Sequence, residues 1–143
     1  MHISTKCSIA VHCLLFIHEY SPVTKVTGDL ISGSTKTNPA ITRSILSLLK
    51  KAGILEIRSG TGGAVLASSP EDISLLAVFQ AVEPDFAKKM IGIHENPSAH
   101  CPVGSRIGQV LKISYDKVYQ DLCTSLSGIT LADIIEDYGR LSV

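Results

Sequence analysis

The sequence predicts a mostly α-helical fold with one small β-hairpin and a long C-terminal helix. Three observations predict it. Apolar residues recur at helical spacing in several stretches of the 143-residue chain. A glycine-rich stretch, "ILEIRSGTGGAVLA" at residues 54–67, places two short apolar runs around a flexible tip, as in a hairpin. Near the C-terminus an apolar stripe continues from residue 103 to residue 126, far longer than an average helix.

The elements follow in order. Residues 8–19 read as a helix with Ile9, Val11, Leu14, Leu15 and Phe16 apolar, and Pro22 ends it. Residues 24–32, "TKVTGDLIS", form a short second helix, and "GSTKT" is a turn. The stretch "NPAITRSILSLLKKAG" then carries a full set of helix signals. Asn38 can cap it, and Pro39 stands at the first helical position, where its missing N–H is harmless. Ile41, Ile45, Leu48, Leu49 and Ala52 make one apolar face. Lys50 and Lys51 suit the negative end of the dipole, and Gly53 the residue just past it. "ILEIR" and "AVLA" are strands, and the glycines of "SGTGG" allow the positive φ angles of a hairpin loop. Further on, Ser, Pro and two acids in "SSPED" start another helix that runs to residue 82 and stops at Glu83-Pro84. Residues 84–102 read as a partly mobile loop with three prolines. Residues 103–126 form the long helix, roughly 36 Å in length. Thr130 and Asp133 close a capping box on the last helix, whose buried face is Leu131, Ile134, Ile135 and Tyr138.

A short helix, a tight turn, an amphipathic helix and a hairpin make a winged helix-turn-helix. The net charge of zero hides a split. Residues 1–68 hold seven basic and three acidic residues, a net +4, and the remainder is net −4. A cationic half points to a polyanion. The exposed face of the second helix of the motif offers Thr42, Arg43 and Ser47, preceded by Lys36, Thr37 and Asn38. Such short polar and cationic groups suit phosphates and base edges. Lys6 adds a charge from the first helix, and the hairpin tip adds Arg58, Ser59, Gly60, Thr61, Gly62 and Gly63. A nucleotide loop is excluded by context. Val65 stands where the third glycine of a dinucleotide fingerprint belongs, and a strand follows instead of a helix. Gly28 and Gly33 have phosphate-loop spacing, but Ser34 and Thr35 follow, with no Lys. Nothing arranges a nucleophile with a base, or two carboxylates in a pocket, so an enzyme is not expected.

The run "LLKKAGILEIRSGTGGAVLASSPEDISLLAVFQAVE" resembles the Rrf2 family of bacterial winged-helix transcription regulators. "ISTKCSIAVHCLL" is similar to the family's first helix and "TLADIIED" to its last. The resemblance implies a homodimer on a near-palindromic operator, usually as a repressor. It maps the recognition helix onto residues 38–47, a base contact onto Arg43 and the wing tip onto residues 58–63. Two positions depart from the pattern: Ser59 replaces the arginine often found before the first wing glycine, and Val65 replaces an aromatic. The organisation expected is a DNA-binding domain at residues 1–83, a loop and possible sensor segment at 84–102, and a dimerisation and closing unit at 103–143. The stripe Val103, Ile107, Val110, Leu111, Val118 and Leu122 would face the partner copy. A winged helix used for protein contacts or small-ligand sensing, without DNA readout, is the alternative; it would tolerate loss of Arg43 and Arg58.

Some family members carry an iron–sulfur cluster on three cysteines in the loop matching residues 84–108, and others sense redox state. This chain has only Cys101 there, with His94, Glu95 and His100 nearby, so neither a cluster nor another metal is expected. Thiol sensing at Cys101, beside His100, is the expectation instead. Cys7 and Cys13 point to different faces of one helix, and Cys13 and Cys123 read as small buried hydrophobes. Four cysteines with no leader-like or membrane-spanning segment suggest a cytoplasmic protein with reduced thiols.

Overall fold

A computed structural model describes residues 4–60 and 62–141. Helix α1, Lys6–Tyr20, lies at the centre. It buries Cys7, Ala10, Cys13, Leu14 and Ile17 while Ile9, Val11 and Phe16 are half-buried against the same core. A helix apolar on most sides is one that neighbours surround, and α1 is packed by α2, α3, α4, α7 and the hairpin.

Helix α2, Gly28–Thr35, starts later than the sequence suggested. Thr27 is its N-cap, accepting from the Leu30 N–H at 3.3 Å. The expected first turn is extended because Val26 pairs with Gly63 as an isolated bridge. Lys36 closes α2 in the left-handed region at φ 57°. Helix α3 is Pro39–Lys51, with Asn38 accepting from the Ala40 N–H at 2.8 Å and Gly53 following at φ 78°. Strands β1, Leu55–Arg58, and β2, Gly63–Leu66, pair antiparallel in the register Leu55↔Leu66 to Arg58↔Gly63.

"SSPED" does not begin a long helix. It makes one 3-10 turn, Pro70–Asp72, and the chain then extends through Ile73. Helix α4, Leu75–Val82, is capped by Ser74, which accepts from the Ala77 N–H at 3.1 Å. The reason is a backbone splice with the far end of the chain. Leu75 N–H donates to Ile129 C=O and Leu131 N–H to Ile73 C=O, both at 2.8 Å. Ser74 and Thr130, each capping a helix, therefore lie side by side.

The segment expected to be all loop contains helix α5, Phe86–Met90. Phe86 is buried and meets Phe79 edge-on at 5.5 Å between ring centres. Helix α6, Ile107–Ser127, begins four residues later than expected; Val103 lies in the preceding turn, its C=O accepting from Ile107 N–H. Helix α7, Leu131–Leu141, opens with the capping box: Thr130 N–H donates to Asp133 and Asp133 N–H to Thr130 Oγ1. It packs on α1 and the 3-10 turn. Its apolar face is Leu131, Ile134 and Ile135 as expected, whereas Tyr138 is exposed.

Gly63 tests the packing of the hairpin. It is buried at φ 63°, and a Cβ there would lie 2.6 Å from the Val26 carbonyl oxygen. Gly53 has a similar φ, 78°, with open space around it. Gly53→Ala is expected to lose about 1 kcal/mol in urea unfolding, the left-handed penalty alone. Gly63→Ala is expected to lose at least about 2 kcal/mol more, since backbone must also move. Equal losses would show that the Val26 approach is slack.

Candidate nucleic-acid interface

The register of α3 decides which side chains face outward. Thr42, Ile45, Leu46 and Leu49 are buried, a stripe at i, i+3, i+4 and i+7. This corrects the expectation for Thr42, which faces the core; its hydroxyl has no hydrogen-bond partner among the described residues. Its methyl group makes it an acceptable core residue, so periodicity could not separate this stripe from the one through Ile41. Ile41, expected inside, is 45% exposed.

Arg43, Ser44 and Ser47 are exposed, and so are Lys50 and Lys51. Arg43, Ser47 and Lys50 line a groove of about 400 Å³ together with Thr27, Gly28 and Asp29 at the start of α2 and Ile57 of β1. Three elements thus meet around one cationic groove. Lys50 and Ser44 were missed in the sequence. Lys50 had been assigned to the helix dipole, and the alternation of Ile57 gave no sign that it would face α3. Asn38 is exposed, but its side-chain oxygen is committed to capping. Lys36 is exposed in the turn, and Thr37 is half-buried with a long hydroxyl contact, 3.4 Å, to the Thr35 carbonyl.

On the wing, Arg58 pairs with Glu56 at 3.1 Å, both largely exposed. Such a pair contributes little and is readily exchanged for a phosphate. Ser59 and Gly60 are exposed, the latter at φ 72°. Thr61 lies outside the described residues. Gly62 is half-buried, its α-carbon turned against the Arg58 side chain. Gly63 is corrected from a DNA contact to a packing residue, because it is buried against Val26. Lys6 is exposed but away from this groove, close enough to Glu83 to help hold its carboxyl low. The main causes of that lowering are hydrogen bonds from Lys89 and then Ser4, around a carboxylate that is itself buried.

The outer face of α6 is bare. Leu126 is its one buried residue among those described. Val103, in the turn before α6, is 69% exposed, Val110 56% and Ile113 75%; Val118 is exposed but faces α5 across a cavity, and Ile107 and Leu111 are half-buried. Ile113 was missed because it lies off the expected stripe. Leu122 is corrected: it packs against the chain's own core and lines a cavity of about 460 Å³ between α5 and α6.

The cysteines divide by environment. Burial pushes the Cys7 and Cys13 thiols up to about 11, the Glu83 charge adding to the effect at Cys7. Cys123 is half-buried. Cys101 is exposed and its thiol is held below the usual range by the backbone N–H groups of Gly104 and Val103. Those amides, not His100, cause the shift. Among the described residues no three His, Cys, Asp or Glu side chains converge as metal ligands. An iron–sulfur cluster takes mostly thiolate ligands, and the α5–α6 loop supplies one thiol while Cys7 and Cys13 are sealed in α1. The donors of a single chain therefore do not fit a cluster.

Comparison with known proteins agrees with this geometry. Residues 3–137 match the Rrf2 family, described as an iron-dependent transcriptional regulator. YwnA of Bacillus subtilis strain 168, which carries the name of an HTH-type transcriptional regulator, is 37% identical over 133 residues, covering 93% of this chain and 96% of its own. The solved structure of T. potens IscR has a TM-score of 0.72 at 21% identity, covering all of this chain and 93% of that one. CymR, the global cysteine regulator of B. subtilis, has a TM-score of 0.66 at 18% identity, covering 95% of this chain and 97% of its own. The last two show a shared fold. The family consists of regulators, not enzymes, and a winged helix-turn-helix with a bare α6 is the fold described above. The chain belongs to the Rrf2 family of transcriptional regulators.

Proposed function

We propose that the protein is a homodimer that binds a near-palindromic DNA operator and represses transcription by occupying it. The observation that carries this reading is the cationic groove where Arg43, Ser47 and Lys50 of α3 meet the start of α2 and the wing. Arg43 is the candidate base contact, since its guanidinium can reach guanine O6 and N7 in a major groove. Arg58 at the wing is the candidate phosphate or minor-groove contact. Lys36, Asn38 and Ser59 are exposed and are the further candidate contacts. The exposed apolar residues of α6 support a second copy packed along that helix, which would set the two α3 helices at a fixed spacing on DNA. No described helix is long and apolar enough to cross a membrane, and the cytoplasm, where DNA is reached, is the proposed place of action.

We assign the signal to Cys101. A thiolate attacks one oxygen of hydrogen peroxide, the O–O bond breaks and hydroxide leaves, giving a sulfenic acid, and thiols already lowered in pKa do so at neutral pH. Cys101 lies in the loop that leads directly into α6, so a modified side chain there would disturb the helix that spaces the DNA-binding units.

Each part of this reading has an expected outcome. Fluorescence anisotropy of a duplex from the protein's own upstream region should show binding that survives random competitor. Arg43→Ala should weaken it by about 1–3 kcal/mol and relax base preference at one position, while Arg58→Ala should lower the salt slope by about 1. Wild-type affinity in both variants would refute DNA readout. Val110→Asp with Ile113→Asp should yield a monomer by light scattering, and an unchanged dimer would move the interface elsewhere. At pH 7.5, iodoacetamide should label Cys101 first and leave Cys7 and Cys13 intact until unfolding, because the first thiol is lowered and the others are raised. Peroxide should release the wild-type protein from DNA and leave Cys101→Ser bound; release of both would end the sensor assignment.

A further inference from the structure

We infer that Ile41 is a specificity-determining residue that reads the 5-methyl group of a thymine in the major groove. The inference rests on the DNA-binding reading above. A protein recognises an A·T pair in the major groove in two main ways: a bidentate Asn or Gln on adenine N6 and N7, or an apolar contact with the thymine methyl. The first turn of α3 closes off most of these routes. Asn38 has its side-chain oxygen on the Ala40 N–H at 2.8 Å, so the two-point adenine clamp is not available to it. No glutamine occurs in α3. Thr42, whose methyl would suit thymine, is buried. Two exposed apolar side chains remain in this turn, Ala40 and Ile41; Ile41 is the longer, 45% exposed where a recognition helix enters the groove, and so reaches further toward a methyl.

Its neighbours favour that use. Ala40, Ser44 and Ser47 are all exposed and follow one another at i, i+4 and i+7, so a ridge of short side chains runs along the outer face. Short side chains let the helix axis approach the base edges. Ile41 and Arg43 flank this ridge on opposite sides. Arg43 suits guanine and Ile41 suits thymine, so the two flanks of this outer face can read a G·C pair and an A·T pair.

Selection of duplexes from a randomised pool with the full chain gives the sites to test. In each enriched site, every thymine is replaced singly by uracil, which removes the methyl and nothing else. At one thymine in each half-site, the wild-type protein is expected to lose about fourfold in affinity per methyl. Ile41→Ala should be indifferent to that same uracil, and Ile41→Val should retain most of the penalty. Ile41 is exposed, so both variants should melt as the wild type does. A wild-type protein indifferent to uracil everywhere overturns the inference. So does an Ile41→Ala protein that keeps the full penalty, since another residue then touches the methyl. A selection that enriches no sequence at all overturns the DNA-binding reading itself.

Discussion

The interface half of the molecule depends on how closely the wing backbone approaches Val26. A two-stranded hairpin of four residues a side is marginal alone. Here Val26 lies against Gly63, and Ala64 N–H donates to the Val26 carbonyl at 2.9 Å. Leu55 and Ala64 then bury their side chains in the common core. Val26 also directly precedes Thr27, the cap of α2. One short stretch of backbone therefore sets both where α2 begins and where the wing stands. The groove between α2, α3 and β1 is the space that this arrangement leaves, and any side chain at residue 63 would push it open.

A second junction governs the other half. The two backbone hydrogen bonds between residues 73–75 and 129–131 start α4 and α7 from a common point. Helix α6 arrives at this point with Leu122 and Leu126 packed inward. Val110 and Ile113 of its N-terminal half, and Val103 in the turn before it, are uncovered. An element anchored at one end and apolar along its free side acts as an arm. The buried Glu83, held by Lys89, ties α5 to the end of α4.

The four thiols show how environment divides a single residue type. Cys7 and Cys13 differ from Cys101 in solvation, and desolvation disfavours a thiolate. Cys101 has the opposite setting, with water on one side and two amide donors on the other. The turn built by residues 101–107, in which Cys101 and Val103 accept backbone bonds from Ser105 and Ile107, creates those donors. Adjacency to His100 in the chain was the visible feature, but the fold of the loop is what acts on the sulfur.

By itself the sequence determined the order of the elements other than α5, the caps at Asn38 and Thr130, the hairpin and the long helix. These are local matters of spacing, turn chemistry and hydrogen-bond supply at helix ends, and they need no partner from elsewhere in the chain. It also determined that a cationic helix carrying Arg43 precedes a glycine-rich hairpin. The tertiary structure decided what depends on contacts distant in sequence. Val26 is extended because Gly63 pairs with it, and "SSPED" yields only one turn because residues 129–131 claim the backbone that follows. The face of α3 was settled by which stripe packs better on α1 and α4. Two stripes had acceptable spacing, and a threonine can pass as apolar, so Thr42 went inward and Ile41 outward. That choice, invisible to periodicity, determines which side chains a groove of DNA would meet.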